Sequence, residues 1–326
     1  MIGAGAFGRN HARVYDKLAK QGEAVRLAGI VDTDLARADV LAKEFGCRAF
    51  GSIEQLTATY NEVQAASVVV PTISHLEVSQ ALMESGIDVL VEKPLASSLT
   101  DADEMVRLAG QFKRVVQVGH LERFNPAVRA TVPLVTQPMF FEVHRLSMFS
   151  PRSLDVDVVL DLMIHDLDIV LSLARSPVKE IRAVGLPILS RKVDIANVRL
   201  EFESGCVANL TASRVSTEQV RKLRFFQPGQ YISLDYSRQD VLVFSVGGEG
   251  GTGEPSANPQ IKINKPELQA EEPLQAELKS FLECVRKRSK PLVSVEDGRE
   301  ALKLALSIVA VMAEHGKKAQ LETLQK

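Results

Sequence analysis

The chain has 326 residues, 39 basic against 41 acidic side chains, a net charge of −2 and 45% hydrophobic residues. That is the make-up of an ordinary globular protein too long for one core, and it excludes a nucleic-acid binder working through a basic face. No apolar run reaches the ~18–20 residues that cross a bilayer. The opening Met1-Ile2-Gly3-Ala4-Gly5 reads without a secretory signal, and Cys47, Cys206 and Cys284 are too scattered for a disulfide framework or a CxxC metal site, so a cytosolic protein with no metal is expected.

In chain order, the pattern predicts a helix over 7–20, a strand over 27–32 and a helix over 34–45 stopped by Gly46. A β-branched strand over 66–70 follows, then a helix over 74–85 stopped by Gly86, and a strand over 88–91. The helix over 100–112 has an acidic start in Thr100-Asp101-Ala102-Asp103, and a strand over 115–118 closes the series. Strands apolar at nearly every position are buried on both faces, and their alternation with helices predicts a doubly wound parallel sheet. Such a sheet needs about five apolar residues before its first glycine. Only Met1 and Ile2 stand there, so the first strand reads as truncated and the natural chain is expected to start upstream.

After His120 the rhythm changes. A helix over 158–174 precedes alternating strands over 178–246, including a hairpin of 197–202 with 207–213 turning at Ser204-Gly205. Strands over 231–236 and 241–246, a loop over 247–260 and helices over 268–288 and 295–314 complete the chain. Two domains are expected: 1–120, a Rossmann dinucleotide-binding domain, and 121–326, an α+β domain with a large, mostly antiparallel open sheet.

Gly3-Ala4-Gly5-Ala6-Phe7-Gly8 matches GxGxxG at the mouth of a helix. In that context the glycines allow a tight turn and close approach to a pyrophosphate resting on the helix N-terminus. Asp32 ends the next strand, where a carboxylate accepts hydrogen bonds from a ribose diol and repels a 2′-phosphate, favouring NAD over NADP. Glu92-Lys93-Pro94 follows the strand 88–91, at the strand end that faces the ligand crevice. A lysine there can hold a substrate oxygen and stabilise its developing charge, or accept a proton if burial lowers its pKa; a plain surface charge is the competing explanation. Asp161 and His165 stand four apart on a predicted helix, which puts them on one face and suits the imidazole to take a hydroxyl proton. Asp161, His165 and Asp168 could instead be a metal cluster, or His165 a satisfied helix histidine.

The Gly3-x-Gly5-x-x-Gly8 loop running into His11-Ala12, then Pro71-Thr72-x-x-His75, Glu92-Lys93-Pro94 and Asp161-x-x-x-His165, come in one order that resembles the Gfo/Idh/MocA oxidoreductases. Gly298 and the last helices resemble that family's closing segment. The resemblance implies NAD(P)-dependent hydride transfer on a sugar or polyol, with Lys93, Asp161 and His165 as catalytic residues. It places Gly3, Gly5, Ala6, Phe7, Gly8, Asp32, Pro71, Thr72, His75, Glu92 and Lys93 around the cofactor. It also implies a homodimer or homotetramer formed through the C-terminal sheet.

The stretches 119–126 and 157–166 resemble a narrower subgroup acting on nucleotide-linked amino sugars of the UDP-N-acetylglucosamine kind. That implies substrate contacts by Arg123, Asn125, Arg152 and His165, with Arg145 a further candidate for the diphosphate. The rivals are an inositol or simple-sugar dehydrogenase, a non-catalytic NAD-binding regulator, and a metal-dependent hydrolase.

Overall fold

The structure, a computed structural model, describes residues 1–150, 156–247 and 260–319. The chain divides into two compact units, Met1–Phe124 with Glu271–Leu302, and Asn125–Ala270 with Lys303–Lys326. The expected single cut after residue 120 therefore gives way to a discontinuous first unit that reclaims a C-terminal segment. No helix among the described residues is long and apolar enough to cross a membrane.

The first unit holds parallel strands β1 (Gly29–Val31), β2 (Arg48–Phe50), β3 (Ala65–Val68), β4 (Asp88–Glu92) and β5 (Val116–Gly119). Helices α1 (Ala6–Lys20), α2 (Leu35–Glu44), α3 (Ile53–Thr59), α4 (His75–Glu84) and α5 (Leu99–Phe112) connect them. Asp34 caps α2 through the Arg37 N–H. Ser98 caps α5 through the Asp101 N–H, two residues ahead of the acidic start read from the sequence.

The expected gap at the first strand is closed by one residue. Ile2 bridges in parallel to Val31 of β1 on one side and Val68 of β3 on the other. Its N–H donates to the Ser67 carbonyl at 2.8 Å, and its carbonyl accepts from Val69 at 2.8 Å. The strand order is thus β2-β1-Ile2-β3-β4-β5, and the chain reverses direction across the sheet at Ile2. In open parallel sheets a ligand crevice forms at the carboxyl side of such a switch point.

Helix α8 (Pro273–Lys287) packs Leu274, Leu278, Phe281 and Leu282 against Val14, Tyr15, Leu18 and Leu90. The segment ahead of α9 (Val295–Lys318) runs along β5, where the Val118 N–H donates to the Val293 carbonyl at 3.0 Å.

The second unit contains α6 (Pro126–Thr131), α7 (Ile164–Ala174) and strands β6 (Phe140–Leu146), β7 (Val178–Leu186), β8 (Ile195–Phe202), β9 (Val207–Ser213), β10 (Val220–Gln227), β11 (Gln230–Asp235), β12 (Asp240–Gly247) and β13 (Gln260–Asn264). They form one eight-stranded sheet in the order β13-β12-β11-β10-β6-β9-β8-β7, antiparallel except for the β6–β9 pair. One face buries Phe141, Phe225 and Ile232. On the other, Phe140, Phe226, Tyr231 and Phe244 stand opposite one another and stack at centroid spacings of 5.7, 4.8 and 5.1 Å. The loop expected over 247–260 is cut back by strand pairing at both ends; 248–259 lies outside the described residues.

Candidate active site

The glycine loop leaves the Ile2 bridge directly into α1. Gly3 has φ +99°, and a Cβ there would lie 2.5 Å from the Val69 carbonyl oxygen. A Cβ on Gly8 would stand 2.0 Å from the Gly3 carbonyl oxygen. Gly5 is different: it is exposed, a Cβ would meet nothing within 4 Å, and it caps α1 without a side-chain bond. An open backbone cradle at a 15-residue helix's positive end fits a pyrophosphate, with exposed Ala6 and Phe7 at its lip.

Asp32 Oδ2 accepts the Ala4 N–H at 2.7 Å and Oδ1 accepts the Asp34 N–H at 2.9 Å. The carboxylate is therefore held against the loop, and each oxygen keeps a further lone pair for a diol. These residues fit a dinucleotide.

Lys93 is half-buried at the carboxyl end of β4, before a cis peptide to Pro94. Its N–H donates to Glu92 Oε2 at 3.3 Å, and His11 Nε2 donates to Glu92 Oε1 at 2.9 Å. Pro71 is exposed and precedes a 3₁₀ turn, Thr72–Ser74, which leads into His75. His75, expected at the cofactor, is buried with its ring nitrogens each 3.0 Å from a carbonyl, those of Pro94 and Val70. Burial pulls its pKa down, and a neutral imidazole has one N–H to donate. The side chain ties the Val70 and Pro94 turns together instead of reaching a ligand.

His120, which sequence reasoning did not single out, follows β5 and is fully buried. Burial, then the positive charges of Lys93 and Arg123, push its pKa down to about 3. It is therefore a neutral imidazole beside Lys93 at any ordinary pH. Its signal in the sequence was only position, one residue past a strand end. Arg123 is half-buried on the 3₁₀ turn Leu121–Phe124 and donates to the Leu292 carbonyl at 3.1 Å.

In the second unit, the segment expected to start an ordinary helix is instead a π-helical turn, Val159–Met163, running into α7. Asp161 and His165 flank that junction, both half-buried. The wider turn makes a four-residue step fall just short of one revolution where an α-helix would overshoot, so the two side chains still share a face. Such turns recur at functional sites. Asp157 Oδ1 anchors the turn by accepting the Val193 N–H at 2.9 Å.

Two expected substrate contacts change here. Arg145 is buried and gives its guanidinium to Asp166, with Nε–Oδ2 at 2.7 Å and Nη2–Oδ1 at 2.9 Å, over the Tyr236 ring. That fork holds a structural ion pair, not a diphosphate. Asn125 is buried as the cap of α6, accepting the Ala127 N–H and donating to the Tyr236 carbonyl. Its amide is committed to backbone at both ends. Arg152 lies outside the described residues. Among the described residues no three His, Cys, Asp or Glu side chains group as a metal site.

Comparison with known proteins agrees with this architecture. Residues 1–120 match the GFO/IDH/MocA model described as an oxidoreductase family with an NAD-binding Rossmann fold, and 137–227 match the GFO/IDH/MocA C-terminal domain. The chain is 35% identical over 315 residues to UDP-N-acetylglucosamine 3-dehydrogenase of Acidithiobacillus ferrooxidans, covering 96% of both chains. A solved structure of that enzyme superposes with a TM-score of 0.86 at 34% identity, again over 96% of each chain. The scyllo-inositol 2-dehydrogenase (NAD(+)) of Bacillus subtilis is 25% identical, over 94% of this chain and 91% of that protein.

Proposed function

The chain belongs to the GFO/IDH/MocA family of NAD-binding oxidoreductases, and from that premise we propose that it moves a hydride between a nicotinamide and a sugar hydroxyl or ketone on a nucleotide-linked amino sugar such as UDP-N-acetylglucosamine. The observation that carries this is the switch point at Ile2, which aims the open Gly5 cradle and Lys93 out of the same edge of one parallel sheet. A bound nicotinamide supplies the hydride acceptor. As the sugar C–H bond breaks with its electron pair leaving carbon, His165 takes the hydroxyl proton and the C=O bond forms. Lys93 is the candidate donor that stabilises developing negative charge on a substrate oxygen. Asp161 orients the imidazole.

Asp32 supports NAD as the preferred cofactor, since a 2′-phosphate would meet its carboxylate. Arg123 and Arg152 are the candidates for the substrate diphosphate. The family likeness and the aromatic row of Phe140, Phe226, Tyr231 and Phe244 support a homo-oligomer formed through the sheet of the second unit; sedimentation should give a dimer or tetramer, and a monomer refutes it.

Turnover is tested by nicotinamide absorbance with UDP-N-acetylglucosamine against free inositols and glucose. The expected result is a kcat/KM at least ~100-fold higher on the nucleotide sugar, because the arginines proposed for the diphosphate have no anion to bind on a free polyol. The likeness to the scyllo-inositol enzyme favours the second reading, a cyclic polyol dehydrogenase, which the opposite ratio would establish. Tight NAD binding with no turnover of any sugar replaces both with a non-catalytic binder.

A further inference from the structure

Three of the buried carboxylates among the described residues come with cations. Asp88 pairs with Arg288, Asp166 with Arg145, and Asp194 with Arg214. Glu277, fully buried on α8, does not: neither carboxyl oxygen has a hydrogen-bond partner among the described residues. It sits in the apolar stripe of Leu274, Leu278 and Phe281 that covers α1 and β4. A leucine would pack there at no electrostatic cost, so the acid is retained against the interest of stability. The charged and titratable groups that face it are Glu92 from β4 and Tyr15 from α1. Burial, then the charge of Glu92, hold its carboxyl well above the usual range, which favours the neutral acid.

Strand β5 shows how this acid reaches the Lys93 turn. Gln117 Nε2 donates to the Glu277 backbone carbonyl at 3.2 Å. Two residues on, and so on the same face of the strand, Gly119 lies under Glu92: a Cβ there would stand 3.0 Å from the Glu92 carboxyl carbon and from both its oxygens. Glu92 in turn accepts from His11 Nε2 and from the Lys93 N–H. Four elements thus converge at the Lys93 turn, and the charges of Lys93, Arg123, Glu92 and Asp297 all act on the buried His120.

We propose that Glu277 is a positioning residue for Lys93: by staying neutral it leaves Glu92 the single negative charge of the buried cluster, held on His11 and on the Lys93 backbone. Ionising Glu277 would set two carboxylates against each other in a dry interior, drive Glu92 off its partners and release the turn. This deepens the assignment of Lys93 to catalysis, but its physical core is separable from it.

The test uses the whole protein and two variants. E277Q keeps a neutral group of the same shape that cannot ionise; E277L removes the polar group. With ring-labelled histidine, the His11 Nε2 resonance of wild type should shift as pH is raised into the alkaline range, and that of E277Q should stay flat. Coincident curves overturn the proposal, whatever the substrate proves to be. In turnover, E277Q should keep wild-type kcat at pH 7 and hold it to higher pH. E277L, which likewise cannot ionise, should follow E277Q in keeping kcat at pH 7 and holding it to higher pH; a loss of kcat in E277L would mean that packing of α8, not the charge state of Glu277, sets the Lys93 turn, and would overturn the proposal. An E277Q alkaline limb identical to wild type also overturns it. If no sugar is turned over, the catalytic assignment of Lys93 fails while the His11 titration still decides the role of Glu277.

Discussion

Replacing Gly5 by alanine should separate cofactor binding from stability. The residue has φ −74° and ψ −173°, backbone that alanine adopts freely, and the added methyl meets no atom within 4 Å. Losing a glycine should stabilise by about 0.4–1 kcal/mol through the unfolded chain. Putting alanine at a helix cap in place of glycine should cost a similar amount, about 0.5–1 kcal/mol. The two nearly cancel, and the melting temperature of the free protein should move by less than ~3 °C. The methyl does fill the cradle where phosphate oxygens would meet the α1 N-terminus. Cofactor affinity should therefore drop at least ~10-fold, about 1.4 kcal/mol. Gly8→Ala supplies the contrast, because its Cβ falls 2.0 Å from a backbone oxygen that has nowhere to move; it should cost about 3 kcal/mol or more in stability. Scanning fluorimetry of the free protein and nicotinamide fluorescence titration measure the two quantities. A Gly5→Ala protein that binds NADH like wild type would refute the cradle, and one that unfolds would refute the reasoning about space.

Lys93→Met should lower kcat by about 10²–10³-fold, the usual effect of deleting one oxyanion donor, while NADH affinity stays within ~3-fold; an unchanged rate removes Lys93 from the chemistry. Asp32→Ser should raise relative use of NADP by at least ~10-fold, and it should also weaken NAD binding because the Ala4 and Asp34 N–H groups lose their acceptor; an unaltered cofactor ratio in steady-state kinetics counts against the assignment. His120 carries a pH dependence whose sign is fixed: its folded pKa, about 3, lies below its unfolded value of about 6.5. Below pH 6.5 the unfolded chain gains a proton that the folded chain refuses, so this stability is whole above pH 6.5 and drains away toward pH 3, by roughly 3–5 kcal/mol in all. Urea midpoints measured from pH 7 to pH 4 should fall more steeply in wild type than in His120→Gln; parallel lines would mean that the imidazole is not held neutral.

The long apolar strands and the glycine-stopped helices were legible because each carries its own period and punctuation. Residues 48–50 and 53–59 were not, since a three-residue strand with one buried position and a two-turn helix are too short to show any period. Strand β6 escaped although its burial alternates along its whole length, because its inward face carries the charged Arg145 while apolar Phe140 and Leu146 stand on the other face. At the candidate site, Gly3, Gly5, Gly8, Asp32 and Lys93 stand out in the sequence because their proposed roles depend on neighbours along the chain. His75, Asn125 and Arg145 were misjudged for the opposite reason: their polar groups are consumed by backbone or side chains far away in sequence. Nothing along the chain marks Glu277, whose burial on α8 is visible only in the folded structure.

The division of the chain also governs how it can be born. Phe281 and Leu278 complete a core whose other half, Val14 and Leu18, left the ribosome more than 250 residues earlier. The amino-terminal module must therefore wait, half finished, while the whole intervening sheet is synthesised. Nascent chains arrested before α8 should be protease-sensitive throughout that module, and a gene ending at residue 270 should yield no soluble nucleotide-binding fragment.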